Sequence, residues 1–266
     1  MAPHPRIAVS SPHMSTFAFE ELLPRVADAF AVWEVFGEGR QYLFEIEDAF
    51  KELTPSYDLD FTAHAPVSDI NPASFNAEVR ALARSILKRT VEAAGRLGIP
   101  RVTVHPGLRM PMARWDDDRL RRLTLEAAEE LAAVGREVGV EVCLENMAKN
   151  WVMTFQDPEW FGDAFGRIEG LTFCYDVAHA HTNSPEHVET FTRAFAPHVG
   201  NVHLSDNDGA NDSHWVLGRG TVPLGDAVRG LEAAGYRGNY VIESNTFEEG
   251  VESIALLESL LSSLDA

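Results

Sequence analysis

LTFCYD (171–176) is a short apolar run that ends on a carboxylate, and the same arrangement returns along the chain. RVTVH (101–105) ends on an imidazole, while VEVCLE (140–145) and NYVIE (239–243) end on carboxylates. LDFTA (59–63) runs straight into His64, and GNVHL (200–204) carries His203 next to its last residue. RIAVS (6–10) and AVWEV (31–35) bring the candidate strands to eight. Short apolar runs bounded by turn signals read as strands buried on both faces, the habit of parallel sheets.

Helical periodicity fills the intervals. The clearest segments are 73–98, 116–139, 184–195, 223–235 and 247–264, with a weaker one at 41–53. Gly98, Gly139 and Gly235 stand where a glycine closes a helix just before the next strand. Ser184 and Pro185 form a cap followed by proline at the first helical position. Eight strands alternating with eight helices predict an α/β fold, a (β/α)8 TIM barrel, as one domain over 1–266. An open doubly wound sheet would call for a glycine-rich phosphate loop after the first strand, and RIAVSSPHMS (6–15) has none.

Strand parity sharpens the expectation. Thr62 and His64, Thr103 and His105, Cys143 and Glu145, Cys174 and Asp176, and Val241 and Glu243 share faces. The intervening Ala63, Val104, Leu144, Tyr175 and Ile242 then face the helices. The polar residues fall at inward, C-terminal positions, where barrel enzymes carry their chemistry.

Bulk properties narrow the partners. Lys plus Arg number 22 against 41 Asp plus Glu, a formal charge of −19. Such a surface repels phosphate backbones at long range, disfavours nucleic acid, and suits a salty cytoplasm. With 45% hydrophobic residues the chain has ample material for a core. Cys143 and Cys174 fall inside strands and read as buried thiols rather than a disulfide. No membrane span is expected, since no stretch approaches roughly 18 apolar residues. The N-terminus shows no charged segment leading into a long apolar one, so the expected location is cytoplasmic.

Nine side chains of metal-ligand type gather at the predicted strand ends and the loops after them: His64, His105, Glu145, Asp176, His179, His203, Asp212, His214 and Glu243. Glu145, Asp176, His203 and Glu243 come from the last four strands. Three carboxylates and one imidazole suit Mn²⁺, Mg²⁺, Co²⁺, Fe²⁺ or Zn²⁺, and without a cation they would have to take up protons. His64 and His105, beside Glu145, make a candidate second site. His179, Asp212 and His214 make a third, with ligation, support of ligands and direct substrate contact all open. His179 is preferred to His181 by its spacing from Asp176. His187 and His198 read as solvated.

The order HAP, HPG, LEN, CYDVAHAH, HLSD, DSHWVLGRG and IES, from His64 to Glu243, resembles the xylose-isomerase-like barrel superfamily. That group holds sugar and sugar-phosphate isomerases and epimerases, and the endonuclease IV type of apurinic endonuclease. In the first branch, the residues matching Glu145, Asp176, His203 and Glu243 hold one catalytic metal. In the second, all nine matching positions ligate three zinc ions. The resemblance thus implies one to three divalent ions, and homo-oligomers are frequent in this branch.

Two mechanisms follow from it. In a metal-dependent isomerase or epimerase of a small sugar or sugar phosphate, a metal-stabilised enediolate forms. Glu145 and Glu243 then move protons from opposite sides, and His179 contacts a substrate oxygen. Glu34, at the end of the second strand, Trp33, Trp151 and Trp215 are candidates to line the pocket, with Trp33 reading better as packing. Arg219, Arg109 and Lys149 are candidate anchors for an anionic group. The alternative is zinc-dependent phosphodiester hydrolysis. The full set of nine favours it; the charge of −19 and the short loop FGEGRQY (36–42) oppose a DNA substrate. Arg114, Arg119, Arg121 and Arg122 read as a solvated helix face.

Overall fold

The structure, a computed structural model, describes residues 2–264. Its strands are β1 (Ile7–Ser10), β2 (Val32–Phe36), β3 (Asp60–His64), β4 (Arg101–Val104), β5 (Glu141–Glu145), β6 (Leu171–Asp176), β7 (Val199–Leu204) and β8 (Tyr240–Glu243). Each pairs in parallel with the next, and β1 pairs with β8 from Ile7–Tyr240 to Ser10–Glu243, closing the barrel. Around it run α1 (Phe19–Ala29), α2 (Glu47–Leu53), α3 (Ala77–Leu97), α4 (Asp117–Val138), α5 (Pro158–Arg167), α6 (Val177–Asn183), α7 (Pro185–Phe195), α8 (Leu224–Ala233) and α9 (Phe247–Ser262). The (β/α)8 expectation holds.

Local departures from the expected elements have local causes. Eight helices were expected and nine are found among the described residues. The extra one, α6, starts directly from β6 because the Asp176 carboxylate accepts the His179 backbone N–H at 2.6 Å and caps the turn. The long helix expected from 73 begins at Ala77, where Asn76 caps it through the N–H groups of Glu78 and Val79. Gly98 and Gly139 end α3 and α4 in the left-handed conformation, as expected.

Parity places the two kinds of residue. Facing the helices, the Tyr175 hydroxyl donates to the Val188 carbonyl of α7 at 2.9 Å. Trp33 stacks on Phe19 of α1 at 5.0 Å between ring centres, so it belongs to the packing layer rather than to any pocket. Inside the barrel, Ala8, Val32 and Val241 form a small apolar floor. Above them sits a polar layer of Glu34, Thr62, Thr103 and Asn201, all buried and mutually hydrogen-bonded. Their mutual hydrogen bonds fix these side chains under the mouth, while Glu34 Oε1 and Asn201 Oδ1 are left without a partner.

Closure of the barrel has its own fastening. The Arg6 guanidinium, just ahead of β1, donates to the Gly238 carbonyl at 2.9 Å and to Glu232 of α8 at 2.6 Å. The Tyr240 hydroxyl of β8 donates to the same Glu232 carboxylate at 2.9 Å. Burial opposes the Glu232 charge, but Arg6 and Tyr240 outweigh it and hold this carboxyl below the usual range. A depressed carboxyl contributes stability above its unfolded-state pKa and loses it as pH falls through the folded value. Glu232→Gln should therefore cost about 1.5–3 kcal/mol at neutral pH. In thermal unfolding, the gap between wild type and variant should close as pH is taken below about 4.

Candidate metal centre

Glu145, Asp176, His203 and Glu243 come from the ends of β5, β6, β7 and β8 and converge at the C-terminal mouth. One ligand atom from each lies within 4.8 Å of all the others, and all four side chains are buried. His203 Nδ1 stands 3.4 Å from Glu145 Oε1 and 3.2 Å from Glu243 Oε2. Those three atoms and Asp176 Oδ2 are buried with no hydrogen-bond partner. Each such atom costs about 1–3 kcal/mol if left so, and four orphans aimed at one point are a cradle for a cation.

The charge balance agrees. Burial, reinforced by Glu145, Glu243 and Asp212 against the pull of His179, pushes Asp176 up to about 7. Burial would also raise Glu145, yet the imidazoles of His105 and His203 outweigh it and hold that carboxyl well below the usual range. Against burial, His203 and His214 hold Glu243 down to about 2, and the facing carboxylates raise His179 and His203 well above the usual imidazole range, so the imidazoles supply positive charge that a cation could replace. Three carboxylates and one imidazole fit a hard-to-borderline divalent ion.

Glu145 faces two ways. Its Oε2 lies 3.3 Å from His64 Nε2 and 3.1 Å from His105 Nε2, so those three residues make a second ligand cluster. His64 Nδ1 sits 2.7 Å from the Ala65 carbonyl, which favours the proton there and leaves Nε2 facing the site. A third cluster joins His179 and His214, each with Nε2 3.0 Å from Asp212 Oδ2. The nine residues expected at the metal sites thus all lie in three adjoining groups.

His179 is occupied on both ring nitrogens, by the Asn146 carbonyl at 2.8 Å and by Asp212. It faces the third cluster rather than open space. His181 points away from the clusters, its Nε2 3.0 Å from the Thr221 hydroxyl. His198 is exposed and half-buried His187 lies 3.3 Å from Asp157.

The loop from β7 to α8 carries Asp212, His214 and Trp215, and one carboxylate shapes it. Asp206 accepts the backbone N–H groups of Asn207, Gly218 and Val222 at 2.9, 2.8 and 3.1 Å. A side chain at Gly220 would put its Cβ 2.2 Å from the Asn207 carbonyl, so only glycine fits beneath the loop. His214 sits at φ +47, a left-handed conformation that costs energy for a non-glycine residue and is held by this frame.

Some expected contacts fall elsewhere. Glu34, expected at the end of its strand and in the pocket, lies mid-strand in β2, fully buried beneath His203. Arg219, expected as a substrate anchor, pairs on the surface with Glu252 of α9 at 2.7 Å. Arg109 is paired with Asp117, Arg121 with Asp163, and Arg122 with Glu126, so their charges are already met. Trp151 and Trp215 do stand exposed in the loops after β5 and β7, and Lys149 is exposed beside Trp151.

Asn146, absent from the expected set, and Cys174, expected only as a buried thiol, also shape the site. The Asn146 side chain exchanges two 2.8 Å hydrogen bonds with the Asp176 backbone, tying β5 to β6 at ligand level. Its place directly after Glu145 in LEN was the available signal. Cys174 Sγ approaches Glu145 and His203 within the same 4.8 Å limit, and burial raises this thiol well above its usual range. Burial likewise pushes Cys143 up to about 12, and both cysteines are free and buried, as expected.

A closed parallel barrel with carboxylates and imidazoles converging at its C-terminal mouth defines a TIM barrel with candidate metal sites. The chain belongs to the xylose isomerase-like TIM barrel family, whose model matches residues 24–260. It is 29% identical over 259 residues to an uncharacterized protein of Methanocaldococcus jannaschii, covering 94% of this chain and 86% of that one. A Mycobacterium leprae protein named probable endonuclease 4 is 30% identical over 181 residues, 65% of this chain and 68% of that one. The crystal structure of a D-tagatose 3-epimerase-like protein superposes with a TM-score of 0.89 at 26% identity, over 98% of each chain. Among the described residues no helix is long and apolar enough to cross a membrane.

Loading the metal-free protein with Mn²⁺, Co²⁺ or Zn²⁺ should raise its unfolding temperature, by about 2.7 kcal/mol of stabilisation at a hundredfold excess over Kd. Asp176→Asn should remove most of that gain, which differential scanning fluorimetry would read. Asp206→Ala should leave the barrel folded but expose residues 207–222 to proteolysis, mapped by mass spectrometry of the cut sites.

Proposed function

We propose that the protein is a divalent-metal-dependent epimerase or isomerase of a small sugar or sugar phosphate. The observation that carries this reading is the pair Glu145 and Glu243. These carboxylates come from the ends of β5 and β8, and each points an unpartnered oxygen at the same point. Epimerisation next to a carbonyl removes a proton from carbon and returns one, and two carboxylates around one substrate position can divide that work.

Glu145, Asp176, His203 and Glu243 would hold the ion, which when bound supplies Lewis acidity toward neighbouring carbonyl and hydroxyl oxygens. Burial of these side chains strengthens the charge interactions among them. Asn146 and the α6 turn hold Asp176 in place, so the ligand set is fixed before substrate arrives. Trp151 and Trp215, exposed in two loops of the mouth, offer flat apolar faces to a sugar ring. The fold match to the epimerase-like crystal structure supports the same class.

A second reading, zinc-dependent phosphodiester hydrolysis, is favoured by the complete set of nine ligand-type residues and by the likeness to probable endonuclease 4. It ranks lower because the chain carries −19 and two arginines, Arg109 and Arg121, are already paired with carboxylates.

The deciding assay incubates metal-loaded protein with a panel of ketoses, aldoses and their phosphates in D₂O. The expected result is an epimer or isomer bearing deuterium at the carbon next to the carbonyl. Glu145→Gln and Glu243→Gln should each lower the rate by about 10²- to 10⁴-fold. Asp212→Ala should weaken this activity without abolishing it. Cleavage of an abasic duplex at physiological salt, lost in both Glu145→Gln and Asp212→Ala, would establish the second reading instead.

A further inference from the structure

Among the described residues, four carboxylates on the strands are buried, and Glu34 is the one outside the three ligand clusters. It hangs inward from the middle of β2, in the polar layer below the mouth. Its Oε2 accepts from Asn201 Nδ2 at 2.7 Å and from the Thr62 hydroxyl at 3.3 Å. Asn201 in turn donates to the Thr103 hydroxyl at 3.0 Å. Four strands, β2, β3, β4 and β7, thus fix where this carboxylate stands. Its second oxygen, Oε1, has no hydrogen-bond partner and lies 2.9 Å from His203 Nε2, the nitrogen that also has Asn201 Nδ2, already donating to Glu34 Oε2 and Thr103, at 3.2 Å.

His203 therefore has a carboxylate at each ring nitrogen. Nδ1 looks up at Glu145 and Glu243, and Nε2 looks down at Glu34. A neutral imidazole carries one proton, and only the nitrogen without it can ligate a cation. Left to the upper pair, the proton would go to Nδ1 and block the ligand position. A buried carboxylate at 2.9 Å from Nε2 draws it to the other side.

We propose that Glu34 is a positioning residue that keeps the His203 proton on Nε2 and so presents Nδ1 as a metal ligand. The inference rests on the reading that this cluster holds a divalent ion, and it makes the polar layer part of the metal site. Nothing in it requires Glu34 to touch substrate, which matches its complete burial.

The test titrates metal-free wild type and Glu34→Gln with Co²⁺, followed by visible absorption and calorimetry. Circular dichroism and the unfolding temperature of the metal-free forms serve as the folding check. Folded Glu34→Gln should bind Co²⁺ about 10- to 100-fold more weakly, the range for removing a partner behind a ligating histidine. Equal affinity in the two folded proteins would overturn the assignment. A second measurement needs no variant: ¹⁵N NMR of the imidazoles in zinc-loaded wild type. It should show His203 protonated at Nε2, with zinc bound at Nδ1. A proton on Nδ1, or zinc on Nε2, would overturn it even if Glu34→Gln does not fold. Wild type that binds neither Co²⁺ nor Zn²⁺ would overturn the metal reading itself, an outcome separate from equal binding by the variant.

Discussion

Mutual repulsion among Glu145, Asp176 and Glu243 is the constraint on which the upper half of this barrel depends. Burial strips each carboxylate of water, and bringing them within a few ångströms sets each against the others. Such a cluster persists only if positive charge is brought to it, by imidazoles, by protons or by a cation. The histidines supply most of that charge, holding Glu145 well down and Glu243 at about 2, while burial and the neighbouring carboxylates leave Asp176 pushed up to about 7. The structure around the mouth is arranged to keep these groups together despite themselves. Asn146 pins the Asp176 backbone, α6 starts on its carboxylate, and the polar layer fills the barrel directly beneath.

The three ligand groups are not three independent sites. Glu145 gives one oxygen to the cluster with His203 and the other to His64 and His105. His179 lies 3.3 Å from Glu145 Oε1 and 3.0 Å from Asp212 Oδ2, so it bridges to the third. Anything that turns Glu145 disturbs every group at once. The third cluster stands apart in one respect: Asp212 and His214 ride on a loop, not on strands. That loop is kept rigid by Asp206 and by the lack of a side chain at Gly220, which is how a loop comes to hold ligands with strand-like accuracy.

Much of this was legible in the chain because strand ends and ligand residues coincide. Alternation within LTFCYD and VEVCLE told inward from outward, and Tyr175 and Asp176 do face opposite ways. What the sequence concealed were contacts set by barrel closure. Glu34 looks like a mouth residue if β2 ends at 35, but pairing with β3 carries the strand on to Phe36 and leaves Glu34 a layer lower. Arg219 was legible as a charge near the site, but α9, distant in sequence, supplies its partner. Asn201 and Asp206 passed unnoticed because an amide or a carboxylate in isolation carries no sign of what it will hold. The role of Asn201 appears only when β7 lies against its neighbours, and that of Asp206 only when the loop after β7 folds back on it.

The alternation described for β6 also limits how such a chain can change over generations. Tyr175 is committed to α7 and Asp176 to the mouth, so one residue gained or lost inside a strand would exchange packing for ligands along its whole length. Length varies most easily between strands, and the connections after β5 and β7 reach over the mouth. Those connections are also where Trp151 and Trp215 are displayed. Relatives of this barrel are thus free to alter what they hold over the centre while the centre itself stays in register.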